Sequence, residues 1–142
     1  MDKAASETQP HVPIVVAWTG GMEFDASRET GPRIHIDGDA QNGPSPVDTL
    51  LASIATCAAT DVVTILEKQR TPPTRLEIRV ESTRVTSTPR RLASVTLHFT
   101  IAGDGIVQAR AERAVELSVE KYCSVRSSLA RDIPVAWTVT LA

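Results

Sequence analysis

The sequence has 142 residues, with 15 Lys plus Arg against 17 Asp plus Glu and a formal net charge of −2. That balance excludes a nucleic-acid binder driven by phosphate attraction. The length predicts one compact core that buries roughly 68% of the unfolded surface. Hydrophobic residues reach 42% but aromatics only 4%, so Val, Ile, Leu and Ala must build the core, and a sugar-binding or base-stacking surface is disfavoured.

Residues 1–12 mix small, polar and charged types without a period and read as a flexible arm; residues 13–142 read as a single domain. The β-branched run at 14–18 (IVVAW) predicts a strand, Gly20 and Gly21 a hairpin turn, and residues 22–27 its returning partner. At 33–37, Ile34 and Ile36 alternate with Arg33, His35 and Asp37, which predicts a third strand with one face buried. A polar connector (DGDAQNGPSP) leads to a helix whose start is well signalled: Ser45 as N-cap, Pro46 in the first turn, and Asp48 completing the S-x-x-[DE] capping pattern. Residues 49–60 (TLLASIATCAAT) carry no charge. This predicts a helix buried on most sides, too short for the ~20 apolar residues of a membrane span, at a core or between subunits.

Alternation resumes after Pro72 and Pro73. Leu76, Ile78 and Val80 oppose Arg75, Glu77, Arg79 and Glu81, then Val95, Leu97, Phe99 and Ile101 repeat the pattern, predicting an antiparallel hairpin with Arg90 and Arg91 at a solvated tip. A helix is expected at 106–122, then a break near Cys123, a short helix and a closing strand at 135–141. Strand runs separated by helices define an α+β fold with antiparallel sheets.

Cys57 and Cys123 stand 66 positions apart, which fits no compact metal-ligand spacing. The N-terminal residues lack an apolar signal region, so a reducing, cytoplasmic setting is expected. There, two thiols are either packed small hydrophobes or redox groups. Burial in an uncharged helix disfavours a Cys57 thiolate unless a cation approaches, whereas backbone N–H groups at a helix start favour one at Cys123. Arg33 and Arg126 are the plausible cations. Asp48 reads as a cap or as a carboxylate orienting an Arg; Asp61, four residues after Cys57, reads as solvent-facing or ion-paired. His11, His35 and His98 read as surface groups.

Two segments, 43–66 (GPSPVDTLLASIATCAATDVVTIL) and 117–125 with its LS and EKYCSV, resemble the osmotically inducible protein C and organic hydroperoxide resistance (OsmC/Ohr) family, most closely its YhfA-like branch. The resemblance runs from about Ile14 to the C-terminus. It implies an OsmC-like α+β fold with a long buried central helix, in an intertwined homodimer whose two sites form between subunits. It also implies thiol peroxidase activity. Cys57 attacks the O–O bond of an organic hydroperoxide and becomes a sulfenic acid, Cys123 resolves it as a disulfide, and an external dithiol reduces that disulfide, with no metal, haem or flavin. Val47 stands where family members carry a Glu that holds an activating Arg, with Asp48 the adjacent acid, and Arg33 is the loose counterpart of that Arg. Ser124 follows Cys123 in place of the usual Pro. Two other readings stay open: a dimeric binding protein holding a small apolar or acyl ligand in the interface cleft, and a structural dimer with both thiols in the core.

Overall fold

Positive φ angles at Gly20 (125°) and Gly21 (56°) close the first hairpin, as the sequence predicts. The computed structural model describes residues 6–142, in the order β1 (Ile14–Gly20), β2 (Glu23–Arg28), β3 (Ile34–Asp37), α1 (Pro46–Lys68), β4 (Arg75–Arg84), β5 (Leu92–Ala102), α2 (Gln108–Leu117), a π-helical turn (Ser118–Tyr122), α3 (Ser124–Ser127) and β6 (Val135–Leu141). The first five positions of the expected arm lie outside the described residues; residues 6–13 are exposed and have no regular structure. The chain divides into two compact units, Met1–Thr49 and Leu50–Ala142.

The first unit is the antiparallel sheet β1-β2-β3. Arg33, expected in the third strand, lies just before it. The expectation of one buried face is corrected here: Ile34 is 56% exposed, and every residue of β1 from Ile14 to Thr19 is exposed. Three short strands bring no layer of their own to cover an apolar face. Asp37 is buried and accepts from the backbone N–H groups of Asp39 (2.9 Å), Gln41 (3.1 Å) and Asn42 (2.9 Å). These bonds, led by the one from Asn42, hold its carboxyl below the ordinary range.

His35 is not a solitary surface group. Its Nδ1 lies 2.7 Å from Asp25 Oδ1 and its Nε2 2.8 Å from Glu23 Oε1. Asp25 is its direct cross-strand partner, and Glu23 follows two residues along on the same face. The Asp25 hydrogen bond, then that of Glu23, raises the imidazole pKa above its ordinary 6.5. Because the folded value is the higher one, the stabilisation is fully present below about pH 6.5 and disappears as pH rises through the folded value. An NMR titration is expected to give His35 the raised pKa and Asp25→Asn to lower it; an unshifted imidazole contradicts the clamp.

The capping box at the start of α1 forms as predicted: Asp48 N–H donates to Ser45 Oγ (3.1 Å) and Ser45 N–H donates to Asp48 Oδ2 (2.9 Å). Asp48 makes no ion pair among the described residues. Asp48→Asn is expected to cost about 0.5 to 2 kcal/mol at most in urea unfolding, with activity per folded molecule retained.

At 23 residues, with a mean hydropathy of 1.7 over its most apolar window, α1 is long and apolar enough to cross a membrane; the expectation that it is too short is corrected. Its burial is one-sided rather than all-round. Ile54, Ala55, Ala58, Val62 and Leu66 form the buried stripe, at steps dictated by the 3.6-residue turn. On another side, Thr56, Thr60 and Thr64 are exposed, and each hydroxyl donates to the carbonyl four residues earlier at 2.9 Å. With Ala59 and Val63 they form a shallow groove whose hydroxyls are already satisfied.

The second unit centres on β5, which buries Val95, Leu97, Phe99 and Ile101 in alternation and Leu92 at its start, with Ala111, Ala114 and Val115 of α2 also in the core. The β4–β5 hairpin is antiparallel, with Val80 opposite Leu97 and Ile78 opposite Phe99. The last strand departs from expectation: β6 pairs with β5 in parallel, Phe99 opposite Val139. Parallel neighbours need a long crossover, and the helical stretch after β5 supplies it. At the hairpin end, Arg91 is not simply solvated. It holds Asp132 through two nitrogens, at 3.0 and 2.8 Å, an exposed pair of small energetic weight.

Candidate thiol site

The predicted break near Cys123 is the π-helical turn, in which Cys123 N–H donates to Ser118 O at 2.8 Å, five residues back. Ser118 is fully buried and satisfies its own hydroxyl on Ala114 O at 2.7 Å. The wider turn ends the helix at an extended Cys123 (φ −70°, ψ 105°), which caps α3, and its sulfur accepts from Arg126 N–H at 3.3 Å.

The Cys123 thiol points back to α1, where Sγ lies 3.9 Å from Ile54 O. Cys57, half-buried and one turn further along that helix, adjoins it, and both cysteines are free. The two thiols that the sequence separates by 66 positions are neighbours within the second unit.

The expectation that backbone N–H groups favour a thiolate at Cys123 is corrected in its direction. The predicted N–H donor is present, but burial pushes the Cys123 thiol up more strongly than the Arg126 and Val125 N–H groups lower it, and the adjoining Cys57 raises it further. The sequence shows the helix start; the desolvation comes from packing around the π turn, and Cys123 is only 3% exposed.

A cleft of about 470 Å³ opens over Cys123, its polar rim made by Glu120, Lys121, Arg126 and Arg131. Arg126 is legible from its spacing to Cys123; Arg131 has no sequence signal and joins the cleft because the chain turns after α3. Neither guanidinium has a carboxylate partner among the described residues. Asp61 is half-buried and makes no ion pair among them, so neither expectation for it is met in full. Arg33 and Asp48 belong to the first unit, where Arg33 is exposed. His98 lies on the sheet surface, 2.8 Å from Thr138 Oγ1 and 3.4 Å from Glu81 Oε2, and His11 is exposed. Among the described residues, no three His, Cys, Asp or Glu side chains gather as a metal site.

An α+β chain with one cysteine on its long helix and a second delivered beside it by a π turn defines a two-thiol domain. Comparison with known proteins agrees on its class: the chain belongs to the OsmC-like protein family, whose profile matches residues 37–138. It is 36% identical over 121 residues to Protein YhfA of Escherichia coli K12, covering 84% of this chain and 90% of that one. Among solved structures, the OsmC-like protein of Mycoplasma pneumoniae matches with a TM-score of 0.79 at 17% identity, covering 95% of this chain and 99% of that one. An organic hydroperoxide resistance protein from Elizabethkingia anophelis matches with a TM-score of 0.67 at 14% identity, covering 96% and 100%; at such identities the likeness is one of fold.

Proposed function

We propose that this protein is a thiol-dependent hydroperoxide reductase. The observation that carries the reading is the juxtaposition of Cys57 and Cys123, two free thiols that can exchange between reduced and disulfide forms. The Cys57 thiolate attacks the distal oxygen of a hydroperoxide; the O–O bond breaks, an alcohol leaves, and Cys57 becomes a sulfenic acid. Cys123 sulfur then attacks the Cys57 sulfur, expels water and closes a disulfide, which external thiols reduce. Solved structures of the same fold include proteins named for organic hydroperoxide resistance, which supports an organic hydroperoxide as the oxidant. Asp48 is proposed to serve as the helix cap.

The active form is proposed to be a homodimer in the cytoplasm. Two apolar surfaces support a second copy as the missing cover: the exposed β1 edge with Val16 (62%) and Trp18 (68%), and the self-satisfied threonine face of α1. Sedimentation should then give twice the 15.3 kDa chain mass.

The experiment is steady-state reduction of cumene hydroperoxide and of hydrogen peroxide with a dithiol donor. The wild type is expected to turn over, faster with the organic substrate, and a variant with both cysteines replaced by Ser to be inert. Equal rates for these two proteins contradict the assignment.

A further inference from the structure

We propose that the cleft over Cys123 is the entry for an anionic thiol reductant, whose negative group is held by Arg126 and Arg131 while its sulfur meets Cys123. The inference rests on the peroxidase reading and adds to it the chemical class of the reductant. Three observations carry it. Cys123 lines the cleft and Cys57 does not, so of the two cysteines it is the resolving one that borders a molecule held there. The rim carries Lys121, Arg126 and Arg131 against the single acid Glu120, an excess of positive charge in a chain whose total is −2. Neither arginine is paired with a carboxylate among the described residues, so both are available to an incoming anion. A volume of about 470 Å³ suits a small molecule.

A thiolate of the reductant attacks Cys123 Sγ in the Cys57–Cys123 disulfide. One S–S bond forms to the reductant, the protein S–S bond breaks, and Cys57 leaves as a thiolate that takes a proton from water. A second reductant thiolate attacks the reductant sulfur of this mixed disulfide and releases Cys123, which is protonated in turn. Two reductant thiols become one disulfide, and the protein disulfide becomes two thiols.

The test starts from the Cys57–Cys123 disulfide made with diamide, independently of any peroxide. Its reduction is timed at low ionic strength with 2-mercaptoethanesulfonate, which is anionic, and with 2-mercaptoethanol, which is neutral, and quenched samples are mapped for the mixed disulfide. The ratio of the two rates cancels any general effect of substitution on folding or exposure. In the wild type this ratio is expected to exceed that of the Arg126→Gln, Arg131→Gln double variant by about fivefold or more and to collapse toward it at high salt. The mixed disulfide is expected on Cys123. An equal ratio in both proteins, or a mixed disulfide on Cys57, overturns this proposal alone. Failure of diamide to join the two cysteines overturns it together with the peroxidase reading.

Discussion

Cys57→Ser is expected to lower dithiol-dependent turnover of cumene hydroperoxide by at least about a hundredfold, because a serine hydroxyl cannot replace a thiolate as the group that attacks the O–O bond. Cys123→Ser should behave differently. With Cys57 intact, the first equivalent of hydroperoxide is still consumed, and the enzyme then stalls at a sulfenic acid that no neighbouring thiol can close. A one-equivalent burst in Cys123→Ser and none in Cys57→Ser separates the attacking sulfur from the resolving one. The reverse pattern would exchange their roles, and it has a physical obstacle: burial holds the Cys123 thiol in its protonated form to higher pH than an ordinary cysteine.

The largest loss of stability is expected from Phe99→Ala, at about 3 to 5 kcal/mol. Phe99 is 1% exposed on β5, the middle strand of its sheet, with Ile78 opposite it on one side and Val139 on the other. Removing the ring forfeits its transfer free energy and leaves a cavity between strands that cannot collapse without giving up ladder hydrogen bonds. Urea unfolding measures it. A change below about 1 kcal/mol would show that the β5 core is looser than its burial implies.

Local chemistry made much of this molecule legible in the sequence. Pro46 and the Ser45–Asp48 box mark the start of α1 to the residue, because a cap is satisfied within one turn. The alternation on β4 and β5 gives both strands and their pairing, and the break before Cys123 is present as the π turn. The parallel β6 was not legible, since Val135, Trp137, Val139 and Leu141 alternate identically in either direction; the pairing is set by the crossover. Nor was the His35 clamp, which needs the β2–β3 register before Asp25 and Glu23 can be placed beside the ring. The one-sided burial of α1 has a related cause. An uncharged helix announces that its faces avoid water without saying which neighbour covers each, and in the single chain the Thr56–Thr60–Thr64 face is open.

At the site, the two cysteines and Arg126 were legible as residue types, while their meeting, the burial of Cys123 and the arrival of Arg131 depend on the fold of the second unit. The family resemblance supplies the chemistry that spacing alone left open between packing and redox. The neighbouring thiols are compatible with that chemistry, and a purely structural pair predicts a different outcome in solution.

That difference is read most directly by intact-protein mass after one equivalent of cumene hydroperoxide in the absence of reductant. The account predicts that the wild type loses two hydrogens as the Cys57–Cys123 disulfide forms, that Cys123→Ser gains one oxygen, and that Cys57→Ser is unchanged. A wild type whose two thiols both survive the oxidant unmodified would contradict it.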